Sequence, residues 1–199
     1  MRNKLLGVLI VAAAVSSGGC VGSYNKLVRE GQAVDAQWAQ VENAYQRRAD
    51  LVPNLVETVK GAANFEKGTL TAVTEARSKV GQVTTQAGKD VVNDPAALQR
   101  FQQAQDQLSS ALSRLLVVAE QYPQLKATEN FRDLQAQLEG TENRIAVERM
   151  RFNQAAQEFN TTRDSFPTVV VAKMFGGRFA EKAYFKAQAG ASAPPQVKF

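Results

Sequence analysis

A bulky apolar residue recurs every seven positions in the second half of the chain, and this repeat constrains the fold more than any other feature. The set is Phe131, Leu138, Ile145, Phe152, Phe159 and Phe166. A seven-residue repeat keeps one face of an α-helix against its neighbours over many turns, as in a coiled coil. It predicts a long helix from about Ala127 to Asp164 in a left-handed, antiparallel bundle. At this spacing the aromatic side chains indicate core packing rather than a cofactor site.

Three more helical segments precede this one. The apolar spacing places them at about 24–50, about 50–83 and 95–122. The pair Asp94-Pro95 is typical of a helix start, because the aspartate caps and proline tolerates the first helical position. The best candidate for a chain reversal lies between Gln82 and Val92.

A short apolar segment follows the long helix. It runs from Thr168 to Phe175 and ends at Gly176-Gly177, and we expect it to fold back over the end of the bundle. No segment alternates with the period of a β-strand. The predicted fold is therefore all-α: an antiparallel, spectrin-like bundle of three or four long helices with a short C-terminal helix.

The stretch from Arg47 to Lys60 breaks two helical rules. Arg48 lies on the apolar stripe, where an unpaired charge is costly. Pro53 falls where a helix interior would lose a hydrogen bond. Since the stripe continues in phase across Pro53, a kinked or nearly continuous helix pair is favoured over a hairpin there.

Arg48 is predicted to pair with Glu142 or Glu148 and so fix the register of the helices. The alternative is a polar groove for a partner peptide. The polar residues assigned to this network are Arg47, Arg48, Asp50, Asn54, Glu142, Asn143, Arg144 and Glu148.

Composition argues against several functional classes. The chain has no histidine and a single cysteine, which removes the commonest general base, the usual zinc ligand and any intrachain disulfide. We therefore predict no catalytic residue, no metal and no cofactor. The net charge of +5 is spread along the chain without a block of Lys and Arg, so a nucleic-acid partner is not expected.

The N-terminus has the features of an export signal. Arg2 and Lys4 precede an apolar run from Leu5 to Val15 and a small-residue zone that ends at Cys20. This resembles a bacterial lipoprotein signal, so Cys20 is the predicted lipid attachment site. An uncleaved anchor and an ordinary cleaved signal remain open.

The chain therefore divides into four parts: a signal peptide at 1–19, a membrane-proximal segment at 20–27, a helical bundle at 28–186 and a flexible tail at 187–199. The body is expected outside the cytoplasm, on the periplasmic face, and at the outer membrane if Cys20 is lipidated.

Several stretches read together resemble the LemA family of bacterial envelope proteins. The most specific are Arg47–Lys60, Val73-Thr-Glu-Ala-Arg77 and Glu139–Arg149 continuing to Phe152-Asn153; Tyr24–Val28, Asn160–Pro167 and Pro195–Phe199 support them. The resemblance implies a helical bundle held at a membrane by its N-terminus, with no established catalytic activity. The family that it resembles also includes relatives associated with magnetosome membranes.

Two functions follow from these observations. The first is a non-catalytic, membrane-tethered scaffold or adaptor that binds another envelope protein. The second is a small-ligand sensor or hydrolytic enzyme with a polar site near Arg48 and Asn54. A closed pocket beside Pro53 would favour the second, and a filled core with a surface groove would favour the first.

Overall fold

The computed structural model describes the backbone of residues 2–61 and 66–186, and the side chains of 20–61, 66–85 and 91–186. Its helices are α1 (Arg2–Lys60), α2 (Lys67–Ala87), α3 (Pro95–Ala119), α4 (Pro123–Lys126), α5 (Glu129–Asp164) and α6 (Thr168–Phe175), with 3₁₀ turns at Gly88–Asn93 and Gly176–Phe179. Over these described ranges there is no strand. The predicted all-α bundle is confirmed.

The four long helices run up, down, up and down. Arg77 of α2 contacts Ala49 of α1, so the two helices are antiparallel on either side of the break between Lys60 and Lys67. The α1–α5 pair is also antiparallel. Arg48 faces Glu142, and a Cβ added at Gly31 would lie 3.6 Å from the Phe159 ring.

Two apolar clusters fill the bundle. The first, which we call the lower core, packs Leu27 to Tyr45 of α1 against α5, the start of α3 and the C-terminal residues, and includes Trp38, Phe101, Phe152 and Phe185. The second packs Leu51 to Val59 of α1 against α2, α3 and the start of α5. We call the end with Val21 to Tyr24, the C-terminus of α5 and α6 the N-terminal end. The opposite end, where α3 gives way to α4, is the far end.

Some predicted boundaries were wrong. The helix that begins the bundle does not start near Tyr24 or end at Asp50; its backbone is helical from Arg2 to Lys60. The favoured continuation of the helix across Pro53 is confirmed. The second helix does not extend from 50 to 83, because the chain leaves the helix at Gly61 and α2 begins at Lys67. A second reversal, at 88–94, overlaps the predicted one.

The other predicted helix signals fared better. Asp94 caps α3 as expected, with its Oδ1 accepting a 2.8 Å hydrogen bond from the Ala96 amide. Every member of the seven-residue repeat is buried except Phe166, which is 84% exposed. It escapes the seam because α5 ends at Asp164. The predicted tail at 187–199 lies outside the described residues.

Residues 180–186 run past the lower core without helical structure, and we call them the strap. The Asn160 side chain accepts a hydrogen bond from the Lys182 amide and donates one to the Lys182 carbonyl, each at 2.9 Å. The Asn153 side chain makes the same pair of hydrogen bonds with the Phe185 backbone, at 2.9 and 3.0 Å. Because these amides fix the strap backbone, the Phe185 ring is held against Trp38 and Phe152.

Candidate functional site

Arg48 lies at the centre of the predicted polar network. Only 1% of it is exposed, and both terminal nitrogens of its guanidinium have acceptors, whereas Nε has none. Nη1 donates to Glu142 Oε1 at 2.7 Å and to the Ser109 hydroxyl. Nη2 donates to the backbone carbonyl of Gln105 at 3.2 Å and to its side-chain oxygen. Of the two carboxylates considered, the structure therefore brings Glu142 to Arg48.

Two of these partners were missed from the sequence. Gln105 is only 2% exposed and sits on the apolar stripe of α3 between Phe101 and Leu108. A polar residue at such a position is the same signal that singled out Arg48. Ser109, one turn further along, carried no comparable signal. Through these two residues Arg48 joins α1, α3 and α5.

The Tyr45 ring shares this environment. The Arg48 guanidinium carbon lies 5.1 Å from its centroid, and the Phe101 ring packs edge-on at 5.3 Å. Burial raises the pKa of Tyr45 above its ordinary value of 10.0, although Arg149 and Arg48 partly oppose the shift. The phenol is therefore neutral at physiological pH and adds no charge to the cluster.

Pro53 is accommodated by a residue of α2. A proline at position 53 cannot donate to the carbonyl four residues earlier, which belongs to Ala49. Arg77 Nε donates to that carbonyl at 3.0 Å instead. Two of the family-like motifs, Arg47–Lys60 and Val73–Arg77, thus meet at one hydrogen bond, and α1 continues as a helix through the proline.

This arrangement predicts coupling between positions 53 and 77. In the wild-type chain, Arg77→Ala should lower the free energy of unfolding by about 1 kcal/mol, the usual contribution of such a hydrogen bond. In a Pro53→Ala background the backbone amide takes over the Ala49 carbonyl, so the same change should have almost no effect. Urea denaturation of the four variants measures the coupling. Equal effects of Arg77→Ala in both backgrounds would contradict this account.

We call Arg48 with Gln105, Ser109 and Glu142 the Arg48 cluster. The remaining predicted residues do not join it. Asp50 is exposed and accepts a 2.7 Å hydrogen bond from Gln46 of its own helix. Asn54 and Asn143 are exposed. Glu148 is 2% exposed but its carboxylate faces Arg151 at 3.1 Å and Arg144 at 3.7 Å, both on α5.

Arg47 and Arg144 instead line a surface groove between α1 and α5, which we call the α1/α5 groove. Its volume is about 730 Å³, and its lining residues are Gln40, Asn43, Ala44, Arg47, Gln137, Gly140, Thr141 and Arg144. The lining has two cations and no carboxylate. A Cβ added at Gly140 would meet nothing within 4 Å, so glycine keeps this part of the groove open.

Among the described residues, Pro53 and Asn54 are exposed, and neither lines the α1/α5 groove or the other grooves described on the bundle surface. Beneath them Val52 and Leu55 are buried at 1% and 0% exposure. Within the described ranges no cluster of acidic residues and cysteine is suited to hold a metal ion.

The N-terminal features are placed only in part. Cys20 is exposed and free, on the surface of α1. In the part of the chain that the structure describes, no helix is both long and apolar enough to cross a membrane. Lipid attachment at Cys20 stays a prediction, as do the signal peptide and its cleavage.

Comparison with known proteins gives a consistent picture. The model of the LemA family matches residues 37–199. Magnetosome protein MamQ 2 of Paramagnetospirillum magneticum is 25% identical over 96% of this chain and 74% of its own length. MamQ of Magnetospirillum gryphiswaldense is 26% identical over 87% of this chain and 70% of its own length. Protein LemA of Metamycoplasma hominis is 26% identical over 77% of this chain and 65% of its own length.

Proposed function

This chain belongs to the LemA family, and we propose that it is a non-catalytic, membrane-tethered scaffold that holds a partner protein in its α1/α5 groove. The family and the relatives named as magnetosome and LemA proteins support a membrane-associated protein of the bacterial envelope. The observation that carries the scaffold proposal is an open, cationic groove above a filled core.

The chemistry of the groove indicates the kind of partner. Arg47 and Arg144 present two exposed guanidinium groups, while Gln40, Asn43 and Gln137 supply amides. Guanidinium groups bind carboxylates with paired, charge-assisted hydrogen bonds. A protein segment with exposed acidic side chains therefore fits better than an apolar helix would.

The Arg48 cluster supports a structural role rather than a ligand site. Both terminal nitrogens of its guanidinium already donate to Ser109, Gln105 and Glu142. A sensor or hydrolase would need these groups to face a substrate, and here they face other helices. No observation at Asn54 favours the alternative function.

Site-specific photocrosslinking in the native envelope tests the proposal. A photoreactive residue is placed at Asn43 or Gln137 in the groove, and at the exposed α2 positions Gln82 or Thr85 as controls. We expect one discrete crosslinked protein from the groove positions and none from α2. Absence of any crosslinked protein at Asn43 and Gln137 would refute the scaffold.

Two glycines provide a matched pair of blocking variants. Gly140→Leu would project a side chain into the groove, whereas Gly81→Leu places the same side chain on α2, where a Cβ also meets nothing within 4 Å. Gly140→Leu should weaken crosslinking about tenfold, corresponding to about 1.4 kcal/mol. Gly81→Leu should leave it unchanged. Equal crosslinking in both variants would place the partner elsewhere.

A further inference from the structure

Exposed apolar side chains gather at the N-terminal end of the bundle. Among the described residues, the large apolar side chains that face solvent at this end are Val21, Phe166, Val170, Met174 and Phe175, at 61%, 84%, 49%, 74% and 48% exposure. We call these five residues the end patch. Exposed apolar side chains that gather at one place can mark an interaction site, whereas singly scattered ones need no explanation.

Three members of the patch, Val170, Met174 and Phe175, lie on α6 beside the start of α1. The other side of α6 is buried through Thr168, Val171 and Ala172. Its last residue, Phe175, packs on Tyr24 of α1 with the ring centroids 5.0 Å apart. Val170 and Met174, one turn apart on α6, therefore face away from the bundle beside the start of α1.

The position of Phe166 follows from the antiparallel pairing of α1 and α5. Phe159 of α5 lies level with Gly31 of α1. From there α5 continues to Asp164, about 8 Å further toward the N-terminus of α1. Phe166 follows two residues later and so lies near the level of Tyr24.

The same end of α1 leads to the apolar N-terminal run. The helix is continuous from Arg2 to Lys60, and Val15, the last residue of the run, precedes Tyr24 by about 14 Å along the axis. Cys20, the predicted lipid attachment site, is only one turn from Tyr24. A bilayer that receives this run or an acyl chain would therefore lie directly beside the patch.

Basic side chains accompany the apolar ones. Lys173 is exposed between Val170 and Met174, and the Arg178 guanidinium stacks over the Tyr24 ring at 5.4 Å. Arg29 is exposed on α1 nearby. Apolar side chains flanked by Lys and Arg are typical of helices that lie in a lipid interface, where the cations reach the headgroups.

We propose that the end patch, with Lys173 and Arg178, is a second membrane contact that docks the bundle onto a negatively charged bilayer surface. The proposal rests on the membrane tether of the proposed function and adds an orientation to it. Ala44, in the α1/α5 groove, lies about 30 Å along α1 from Tyr24. Docking through the patch would hold the groove at about that height above the lipid.

Fluorescence quenching by lipids tests the contact in the full chain. The protein is reconstituted in vesicles of phosphatidylglycerol and brominated phosphatidylcholine, and a tryptophan is introduced by Met174→Trp. Val117→Trp, at an exposed position of α3 toward the far end, is the matched control, and buried Trp38 gives a constant background. We expect roughly a twofold loss of the added fluorescence at position 174 only, because interfacial side chains sit about 5–10 Å into the lipid boundary.

The outcomes of this experiment separate the lipid contact of the end patch from the membrane tether. Flotation with the vesicles without quenching at position 174 would overturn the second contact while leaving the tether intact. Failure to float would overturn both. Shielding of position 174 from acrylamide before vesicles are added would assign the patch to a second copy of the chain and overturn the lipid contact. Crosslinking in the α1/α5 groove tests the scaffold function separately.

Introducing negative charge into the end patch distinguishes docking from simple proximity. Val170→Glu together with Met174→Glu, both at exposed positions, should abolish the lipid quenching of a tryptophan introduced by Phe166→Trp. Val117→Glu should leave that quenching unchanged. Unchanged quenching in the double variant would show that the tether alone brings this end to the membrane, and the proposal would fail.

Discussion

Phe152→Ala is expected to lower the free energy of unfolding by about 3–5 kcal/mol, enough to leave a bundle of this size marginal or unfolded. Phe152 is fully buried. Its ring meets the Trp38 and Phe185 rings edge-on, with each centroid 5.5 Å away. Truncation therefore removes both the transfer energy of the side chain and the aromatic contacts that hold α1, α5 and the strap together.

The matched control is two residues away on the same helix. Met150 is 64% exposed, so Met150→Ala should change the free energy of unfolding by no more than about 0.5 kcal/mol. Urea denaturation followed by circular dichroism measures both variants, and Trp38 fluorescence reports on the aromatic cluster. A loss below about 1 kcal/mol for Phe152→Ala would mean that the lower core collapses around the gap or is not packed as described.

The long apolar repeat carried most of the correct structural prediction. Its period alone predicts the long helix that the structure shows as α5 and the burial of Phe131 to Phe159. Periodicity works here because a seam residue at every second turn leaves little freedom in which face is buried. It fails at Phe166 because the repeat does not encode where a helix ends, and α5 ends at the predicted residue Asp164.

The break after Lys60 was not predicted, for a related reason. Apolar residues continue at helical spacing on both sides of Gly61, so the pattern alone does not separate one helix from two antiparallel ones. Pro53 breaks a helical rule but does not end α1, which continues to Lys60. Its missing hydrogen bond is made good by Arg77, a contact between residues 28 apart in sequence that no local rule reveals.

The contacts of the strap were not predicted from the sequence. Asn153 and Asn160 were recognised as parts of family-like motifs, but their role depends on where an extended segment returns across α5. Amide side chains can donate and accept at once, so an asparagine on a helix is equally suited to solvent or to a backbone partner. Only the tertiary path of the chain decides between these.

The polar network was predicted in outline because a charge on an apolar stripe must find a partner. The sequence offered Glu142 and Glu148 with no means of choosing, since both lie on α5. Register decides: the antiparallel pairing that sets Gly31 opposite Phe159 also sets Arg48 opposite Glu142. Glu148 lies about one and two-thirds turns further along α5 and pairs within its own helix.

Arg48→Ala is the second change expected to have a large effect, about 3–5 kcal/mol in the free energy of unfolding. It empties a buried volume and leaves the Gln105 amide, 2% exposed, without the donor that satisfies it. Arg47→Ala is the matched control, because this neighbour on α1 is exposed, and it should change stability by no more than about 0.5 kcal/mol. Urea denaturation compares the two variants.

An apolar replacement of the network separates stability from register. Arg48→Met with Gln105→Leu removes the buried polar groups in pairs, so it should recover much of the stability lost in Arg48→Ala. If the network fixes the register of α1 against α3, the apolar variant should show several sets of amide signals by NMR, whereas the wild type shows one. Full stability with a single set of amide signals would contradict the register role.

Arg47→Ala makes the complementary comparison, because it should keep one set of amide signals while weakening crosslinking in the α1/α5 groove. Adjacent arginines on one helix would then serve different ends, Arg48 the packing of the bundle and Arg47 the partner that the bundle holds.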